Sequence, residues 1–257
     1  MPRYLRAVPV LAVAIVTFAA ACTPPPGPGG TTTTTSTTTT TAPPQDNDGD
    51  GYVEGIDCDD NDNTIYPGAP DPLDESNIDS NCDGVDGVAT DIIFVKDNGG
   101  IDSSTCGDIT EPCESIGQGE ARAVGEGRSI VAVAGGSYSK FSVTEGLEVR
   151  GGFGQNFKRG LDATGSTTAT VAASFEASVG GPVAILADGI AAPTTVADLA
   201  VAGGAAAAGQ NSYGVVVRNS SADLTLDSLA IAGGTGGLGA NGAAGNGGWG
   251  GAAAGGA

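Results

Sequence analysis

Four aspartates raise the first chemical question. Asp46, Asp48, Asp50 and Asp57 hold positions 1, 3, 5 and 12 of the run Asp46-x-Asp48-x-Asp50-Gly51-x5-Asp57. Carboxylates at this spacing can gather around one tight loop, and Gly51 at position 6 supplies the unhindered backbone that the turn needs. The Tyr52 carbonyl falls at position 7, and Glu54 falls at position 9, where a carboxylate often acts through water. Hard oxygens in this number suit Ca2+, which takes about six to eight ligands, better than rigidly octahedral Mg2+. The chain has no histidine, so softer metals find little to bind. A second loop, Asp79-x-Asn81-x-Asp83-Gly84-Val85-Asp86, offers Asp79, Asn81, Asp83, Asp86 and the Val85 carbonyl. Neither loop is an EF-hand: Asp57 stands where that motif has a bidentate Glu, and no amphipathic helix follows.

Charge sets the condition under which these loops can exist. Between residues 46 and 91 there are 13 Asp and 2 Glu but no Lys or Arg, half of the 30 acids in a 257-residue chain of net charge −20. Such a segment repels itself, so it is either disordered or neutralised by cations, and the loop spacing favours the second. It continues through Cys58-Asp59-Asp60-Asn61-Asp62, Tyr66-Pro67-Gly68-Ala69-Pro70-Asp71 and Ile78-Asp79-Ser80-Asn81-Cys82-Asp83-Gly84. Over residues 46–87 this pattern resembles the metal-binding motif of bacterial surface proteins, related to thrombospondin type 3 repeats. It departs from that motif at Asp71-Pro72-Leu73-Asp74-Glu75, where a cysteine is common. The resemblance implies Ca2+ held in a helix-poor wrap with a Cys58–Cys82 disulfide, and Asp59 in the same acidic run joins the candidate ligands. A bridge of that span contributes roughly 3 kcal/mol by restricting the unfolded chain. Extracellular calcium modules bind at about 10⁻⁴–10⁻³ M, where the ion is a fixture, so the calcium is read as structural.

The absence of histidine also removes Ser-His and Cys-His nucleophiles and the commonest general base. The acidic balance speaks against a nucleic-acid partner. Residues 1–21 read as an export signal, with Arg3 and Arg6 ahead of the apolar run from Val8 to Phe18. Ala19-Ala20-Ala21-Cys22 resembles a lipobox, which would place diacylglycerol on Cys22; ordinary Ala-x-Ala cleavage at the same bond would leave a free thiol. The five cysteines favour lipidation, because it leaves four for two disulfides. Residues 22–45 are then a disordered Pro/Thr tether, reaching roughly 70 Å at about 3.1 Å per residue. The expected location is the outer membrane or cell surface, with a lipid anchor in the membrane.

The elements that must carry these loops begin after Asp91. Short apolar runs (Ile92–Val95, Ile130–Val133, Leu147–Val149, Val183–Leu186 and Val215–Val217) are separated by Gly, Asn, Asp and Thr. No convincing helix is expected, since the one candidate, Glu114 to Val124, contains Gly117 and Gly119. A shift of 30 residues lays Val183–Asp188 on Tyr213–Arg218 and Thr195–Gly204 on Thr225–Gly234 without a gap. A period of this size with short strands points to a solenoid, in which aligned residues become vertical neighbours and Asp188 lies under Arg218. The pattern Phe94-Val95…Pro112-Cys113-x-x-Ile116…Gly135-Gly136-x-Tyr138…Gly151-Gly152-Phe153 resembles right-handed parallel β-helices of the pectin-lyase-like superfamily. Cys106 and Cys113, seven apart, would close a small loop near the first coil and fit an oxidising compartment.

The expected fold is therefore all-β. A right-handed parallel β-helix over 92–234 is preceded by the acidic calcium module of 46–91, and a Gly/Ala-rich segment over 235–257 reads as the start of a loop in a truncated chain. In the 30-residue register Asp198 meets Ser228 and Asp227 meets Ala197, so no ladder of carboxylates marks an active site. No catalytic residue is assigned and no enzyme is expected. The favoured role is a surface lipoprotein presenting a β-helix for adhesion, matrix or polysaccharide recognition. A lyase or hydrolase on the same helix and a metal-acquisition protein are the alternatives.

Overall fold

The computed structural model describes residues 44–74 and 76–239. The export signal, Cys22, most of the tether and the Gly/Ala-rich stretch beyond residue 239 lie outside the described residues. After a 3-10 turn at Ala89–Asp91 come strand β1 (Ile92–Val95) and helix α1 (Ile116–Glu126). A second course holds β2 (Ile130–Ala134), β3 (Gly136–Ser139) and β4 (Phe141–Ser142). A third holds β5 (Glu148–Phe153), β6 (Ala169–Ala172), β7 (Ser174–Glu176) and β8 (Gly181–Asp188). Then follow β9 (Thr194–Ala197), β10 (Leu199–Ala202) and β11 (Tyr213–Arg218), and last β12 (Leu224–Asp227) and β13 (Ala230–Ala232).

The three middle courses each contribute strands to three sheets in turn; the first contributes only β1 and the last described one β12 and β13. The first sheet runs β1-β2-β5-β9-β12, the second β13-β10-β6-β3 and the third β11-β8-β4. Every one of these neighbours pairs in parallel; only β7 folds back antiparallel on β8. The arrangement is mostly parallel, β-rich and solenoid-like. Its upper part keeps the register read from the sequence, with Val183 beside Tyr213, Thr194 beside Leu224 and Ala200 beside Ala230. Asp188 and Arg218 are partners in that ladder, joined at 2.9 Å. Both side chains are more than a third exposed (38 % and 35 %), so the pair contributes little to stability.

Alternation explains the core. In β5 the burial pattern is BiBiB after a half-buried start, and in β10 it is BiBi, so every second side chain points inward. Val95, Val131, Val133, Val149, Val171, Ile185, Val196, Leu199 and Val201 meet inside the courses as one cluster. Fully burying such side chains stabilises by about 1.5–3 kcal/mol each. β1 breaks the alternation, because all four of its residues are buried. Ile93 and Val95 face the inner cluster, while Ile92 and Phe94 join Ala132, Ala134, Phe153 and Phe157 in a second cluster with Val85 of the acidic segment.

One expectation is corrected. The candidate stretch from Glu114 to Val124, where Gly117 and Gly119 speak against a helix, lies largely within the 11-residue helix α1. Ser115 caps its first turn by accepting from the Gln118 N–H, and Asp102 in turn accepts from the Ser115 hydroxyl at 2.7 Å and from the N–H groups of Glu114 and Ser115 at 2.9 Å. Gly127, in the left-handed conformation at φ 71°, closes the last turn. Gly119 weakens the helix in isolation but lets it approach the stack, since a Cβ there would lie 2.5 Å from Val95 Cγ2. Tertiary packing of Ile116 and Ala123 into the inner cluster overrides propensity. The Cys106–Cys113 disulfide forms, with both residues in the same cluster. Among the described residues no helix is long and apolar enough to cross a membrane.

Two predictions follow from α1. Gly119→Ala should destabilise the fold by about 1–3 kcal/mol through overpacking against Val95, whereas Gly117→Ala, which meets nothing within 4 Å, should stabilise it by up to about 1 kcal/mol; urea midpoints compare the two directly. Glu120 is 2 % exposed and accepts the Thr144 N–H at 2.9 Å. Burial pushes its carboxyl up from 4.5 to about 7, against the pull of the Thr144 hydrogen bonds. Because the folded pKa is the higher, folding binds a proton, so this contribution is present in full below pH 4.5 and lost as the pH rises through about 7. Glu120→Gln keeps an acceptor for Thr144 and removes the charge. Thermal melts should show the variant more stable than the parent at pH 8 and equal to it near pH 4.

Candidate metal centre in the acidic module

The first loop is built by its own aspartates. Asp46 accepts from the N–H groups of Gly49 and Gly51 at 2.7 and 3.1 Å, Asp48 from Asp50 at 3.2 Å, Asp50 from Tyr52 at 2.8 Å and Asp57 from Asp59 at 2.9 Å. These side chain-to-backbone turns fix the loop locally, and Gly51 takes φ 102° at its sixth position. Each of Asp48, Asp50 and Asp57 thereby commits one oxygen and leaves the other, Oδ2, buried with no hydrogen-bond partner. One carboxylate oxygen from each of Asp46, Asp48 and Asp50 lies within 4.8 Å of the others. Burial pushes the Asp48 carboxyl up; a backbone hydrogen bond opposes this, and the charges of Asp50, Asp57 and Asp46 add to it. The charge of Asp57 reaches Asp48, but its carboxylate is grouped with the sulfurs of Cys58 and Cys82 and not with the first three aspartates.

The second loop repeats the scheme. Asp79 accepts from Asp83 and Gly84 at 3.0 and 2.8 Å, Asn81 from Asp83 at 2.9 Å, and Asp83 from Val85 at 3.2 Å and Ala89 at 2.9 Å. Gly84 takes φ 101°, almost the value at Gly51. Its twelfth position is Thr90 rather than an acid. The carboxylates of Asp71 and Asp86 are buried, but among the described residues they form no close group with Asp79 and Asp83 of the kind that the first loop forms. Asp71 accepts the Gly87 N–H on Oδ2 at 3.0 Å and keeps Oδ1 without a partner, and neither oxygen of Asp86 has one. Burial pushes Asp71 up and raises Asp86 to about 6; the backbone N–H groups of Ser80 and Gly87 oppose this at Asp71, as the Asp74 backbone (outside hydrogen-bond geometry) and the Arg159 charge do at Asp86, while the charges of Asp79 and Asp83 on the former and Asp74 and Asp71 on the latter add to it.

The remaining candidates are distributed less evenly. Glu54 and Asp59 are exposed. The Tyr52 ring stacks on Tyr66 with centroids 5.5 Å apart, which sets the backbone carrying its carbonyl. Val85 is buried against the outer cluster. Asp71 escaped the sequence reading; its signal was the last residue of Tyr66-Pro67-Gly68-Ala69-Pro70-Asp71. Asp60, although buried, has both oxygens taken by Asn47, at 3.1 and 2.6 Å, and is a strut.

The loops are held side by side. A Cys58–Cys82 disulfide joins them with Cα atoms 5.8 Å apart. Tyr66 and Gly68 donate their N–H groups to the carbonyls of Ser80 and Asn81 at 2.9 and 3.1 Å. Asp57 sits beside the two sulfurs, but in a disulfide neither sulfur is a thiolate, so only the carboxylate counts as a donor. The donor set is then all oxygen and strongly anionic, which fits a hard divalent cation.

A wider cleft is lined by Asp97, Asp102, Glu114, Ser115, Ser137 and Ser139. Two of its acids are committed to the fold: Asp102 caps α1, and Asp97 accepts the Ser137 N–H at 2.8 Å. No family model, curated protein or solved structure matches the chain, so the site is read from its own geometry. With so little apolar core of its own, the module depends on its covalent staple. Cys58→Ser with Cys82→Ser should lower stability by roughly 3 kcal/mol, read as a lower melting temperature, while β10 retains slow amide exchange.

Proposed function

We propose that the chain is a calcium-stabilised surface protein that presents a right-handed parallel β-helix for recognition. The observation that carries this reading is the set of buried, unpartnered carboxylate oxygens on Asp48, Asp50, Asp57, Asp71 and Asp86. A buried carboxylate oxygen without a partner is costly, and such oxygens at five positions of one small module favour cations as their partners. Ca2+ suits loops that add carbonyls, here those of Tyr52 and Val85, to carboxylates of uneven spacing. Asp46, Asp48, Asp50 and Asp57 would hold it in the first loop, and Asp79, Asn81, Asp83 and Asp86 in the second; the ion would supply counter-charge and cross-linking, not chemistry on a substrate.

Parallel strands joined by crossovers within one sheet favour the right-handed sense. The second sheet also offers a level outer face. Ser137, Thr170, Ala200 and Ala230 follow one another in register, as do Ser139, Ala172, Ala202 and Ala232. Short side chains in line make a flat platform suited to an extended polymer such as a polysaccharide. In this reading the protein binds without cleaving, and lipid on Cys22 with the Pro/Thr tether carries it away from the outer membrane or cell surface.

Calorimetric titration of the stripped, oxidised chain with Ca2+, with Mg2+ and Cu2+ as rivals, tests the metal half. Selective Ca2+ heat at two or more sites and a raised melting temperature are expected; no Ca2+ heat, or tighter Cu2+ binding, overturns it. Retention on a polysaccharide panel without unsaturated or reducing-end products is the outcome expected for recognition. Product release would move the chain to the lyases or hydrolases.

A further inference from the structure

The corner between the first and second sheets gathers charged groups that the acidic loops do not explain. Asp198 is the single residue between β9 and β10, and the register of β5, β9 and β12 places it over Gly151 and under Ser228. Two guanidiniums meet its Oδ2: Arg159 donates at 3.2 Å and Arg150 at 3.4 Å. Arg150 is also paired with Glu148. Arg159 is fixed more firmly. Its Nη2 donates to the Gly151 carbonyl at 2.9 Å, its guanidinium carbon lies 4.4 Å from the centre of the Phe153 ring, and Asn77 accepts its backbone N–H at 2.7 Å. The Arg159 side chain is only 8 % exposed, yet its Nε has no partner. Among the described residues nothing accepts from its Nη1, and nothing donates to Asp198 Oδ1.

These atoms border a space that glycine keeps open. A surface concavity of about 280 Å³ is lined by Gly152, Arg159, Gly160 and Asp198. A Cβ at Gly152 would stand 3.6 Å from Arg159 Cζ, over the guanidinium, and one at Gly160 would meet nothing within 4 Å. The volume falls just below the roughly 300–1,000 Å³ of pockets that enclose a whole small molecule, and it suits one unit of a longer chain. A fixed donor and a fixed acceptor stand side by side here, and the charges of Arg159 and Asp198 offset each other. Such a pair fits a neutral ligand with adjacent hydroxyl groups, since a hydroxyl both donates and accepts.

We infer that Arg159 and Asp198 bind one sugar unit of a neutral polysaccharide through two vicinal hydroxyls, one accepting from Arg159 Nη1 and the other donating to Asp198 Oδ1. This rests on the recognition reading and deepens it. The corner sets the position of a glycan whose next units lie over Ala200 and Ala202 on the second sheet, and the hydroxyl pair, not charge, selects it.

Chemical-shift titration of the ¹⁵N-labelled, oxidised chain with mannohexaose, cellohexaose and hexagalacturonate tests the site. Saturable shifts of the Arg159 Nε–H and of the Gly152, Gly160 and Ala200 amides are expected with a neutral hexasaccharide. None is expected with hexagalacturonate, which Asp198 and the net charge of −20 repel. Gly160→Asn fills the concavity in a left-handed conformation that Asn tolerates, as φ is 59° there. Asp198→Asn turns its oxygen to the guanidiniums and leaves an NH2 group where the hydroxyl must donate. Each variant should weaken binding by about tenfold or more. Slow amide exchange in β10 verifies that each is folded; if Asp198→Asn loses it, Gly160→Asn carries the same test. A parent retained on the polysaccharide panel without shifts at this corner, or with unchanged affinity in both variants, would overturn the site and leave the recognition reading standing. A parent neither retained nor shifted by any sugar would overturn both. Tighter binding of hexagalacturonate would overturn the hydroxyl pair in favour of a carboxylate on the guanidiniums.

Discussion

Unbalanced negative charge is the constraint on which the rest depends. A segment with 15 acids and no basic residue between positions 46 and 91 cannot collapse on apolar burial alone. It buries few apolar side chains, chiefly Ala69 and Val85. What it has instead is backbone capture by its own aspartates, a disulfide, the Tyr52–Tyr66 stack, and a face of the first sheet to lean on. Each of these brings carboxylates closer together and so raises the electrostatic cost. A cation meeting the remaining oxygens would offset that cost, which ties the proposed metal site to the fold of the module.

The stack obeys a different constraint, vertical register. Once a strand pairs in parallel with its predecessor, every corner must fall over the previous corner, and corners select backbone geometry. Asp198 and Ser228, 30 apart, both take positive φ, at 57° and 50°. That conformation is uncommon for such residues and can mark a strained active site. Its recurrence at equivalent corners identifies it here as a property of the turn. Asp198 also receives Arg150 and Arg159 at 3.4 and 3.2 Å, a network that ties the turn to the first sheet.

Much of this was legible in the residues, and the exceptions share a cause. Loop spacing, the positive-φ glycine at the first loop's sixth position, the Cys106–Cys113 pair and the Asp188–Arg218 ladder all depend on local pattern or repeat register, which a sequence carries explicitly, whereas the Cys58–Cys82 pairing was implied by the resemblance of residues 46–87. Helix α1 was not legible, because Gly119 lowers propensity while the contact that rewards it, Val95, comes from another course. Asp71 was missed for the same reason: it is eight residues before the second loop, and only the fold brings it to Gly87. The double burial of β1 was likewise hidden, since four apolar residues in a row do not say what covers their second face.

These pieces make the first course the best-supported part of the stack. On its inner side α1 and the Cys106–Cys113 loop close the core; on its outer side Val85, Leu73 and Phe157 cover Ile92 and Phe94. The opposite end of the described stack is barer: Val217, Leu226 and Ile231 are 49 %, 39 % and 54 % exposed. In a solenoid, where each course contacts only its neighbours, stability is a sum of local terms, so this difference grades resistance to opening along the axis. A cation in the acidic module would add to the end that is already covered twice, and so steepen that grading along the axis.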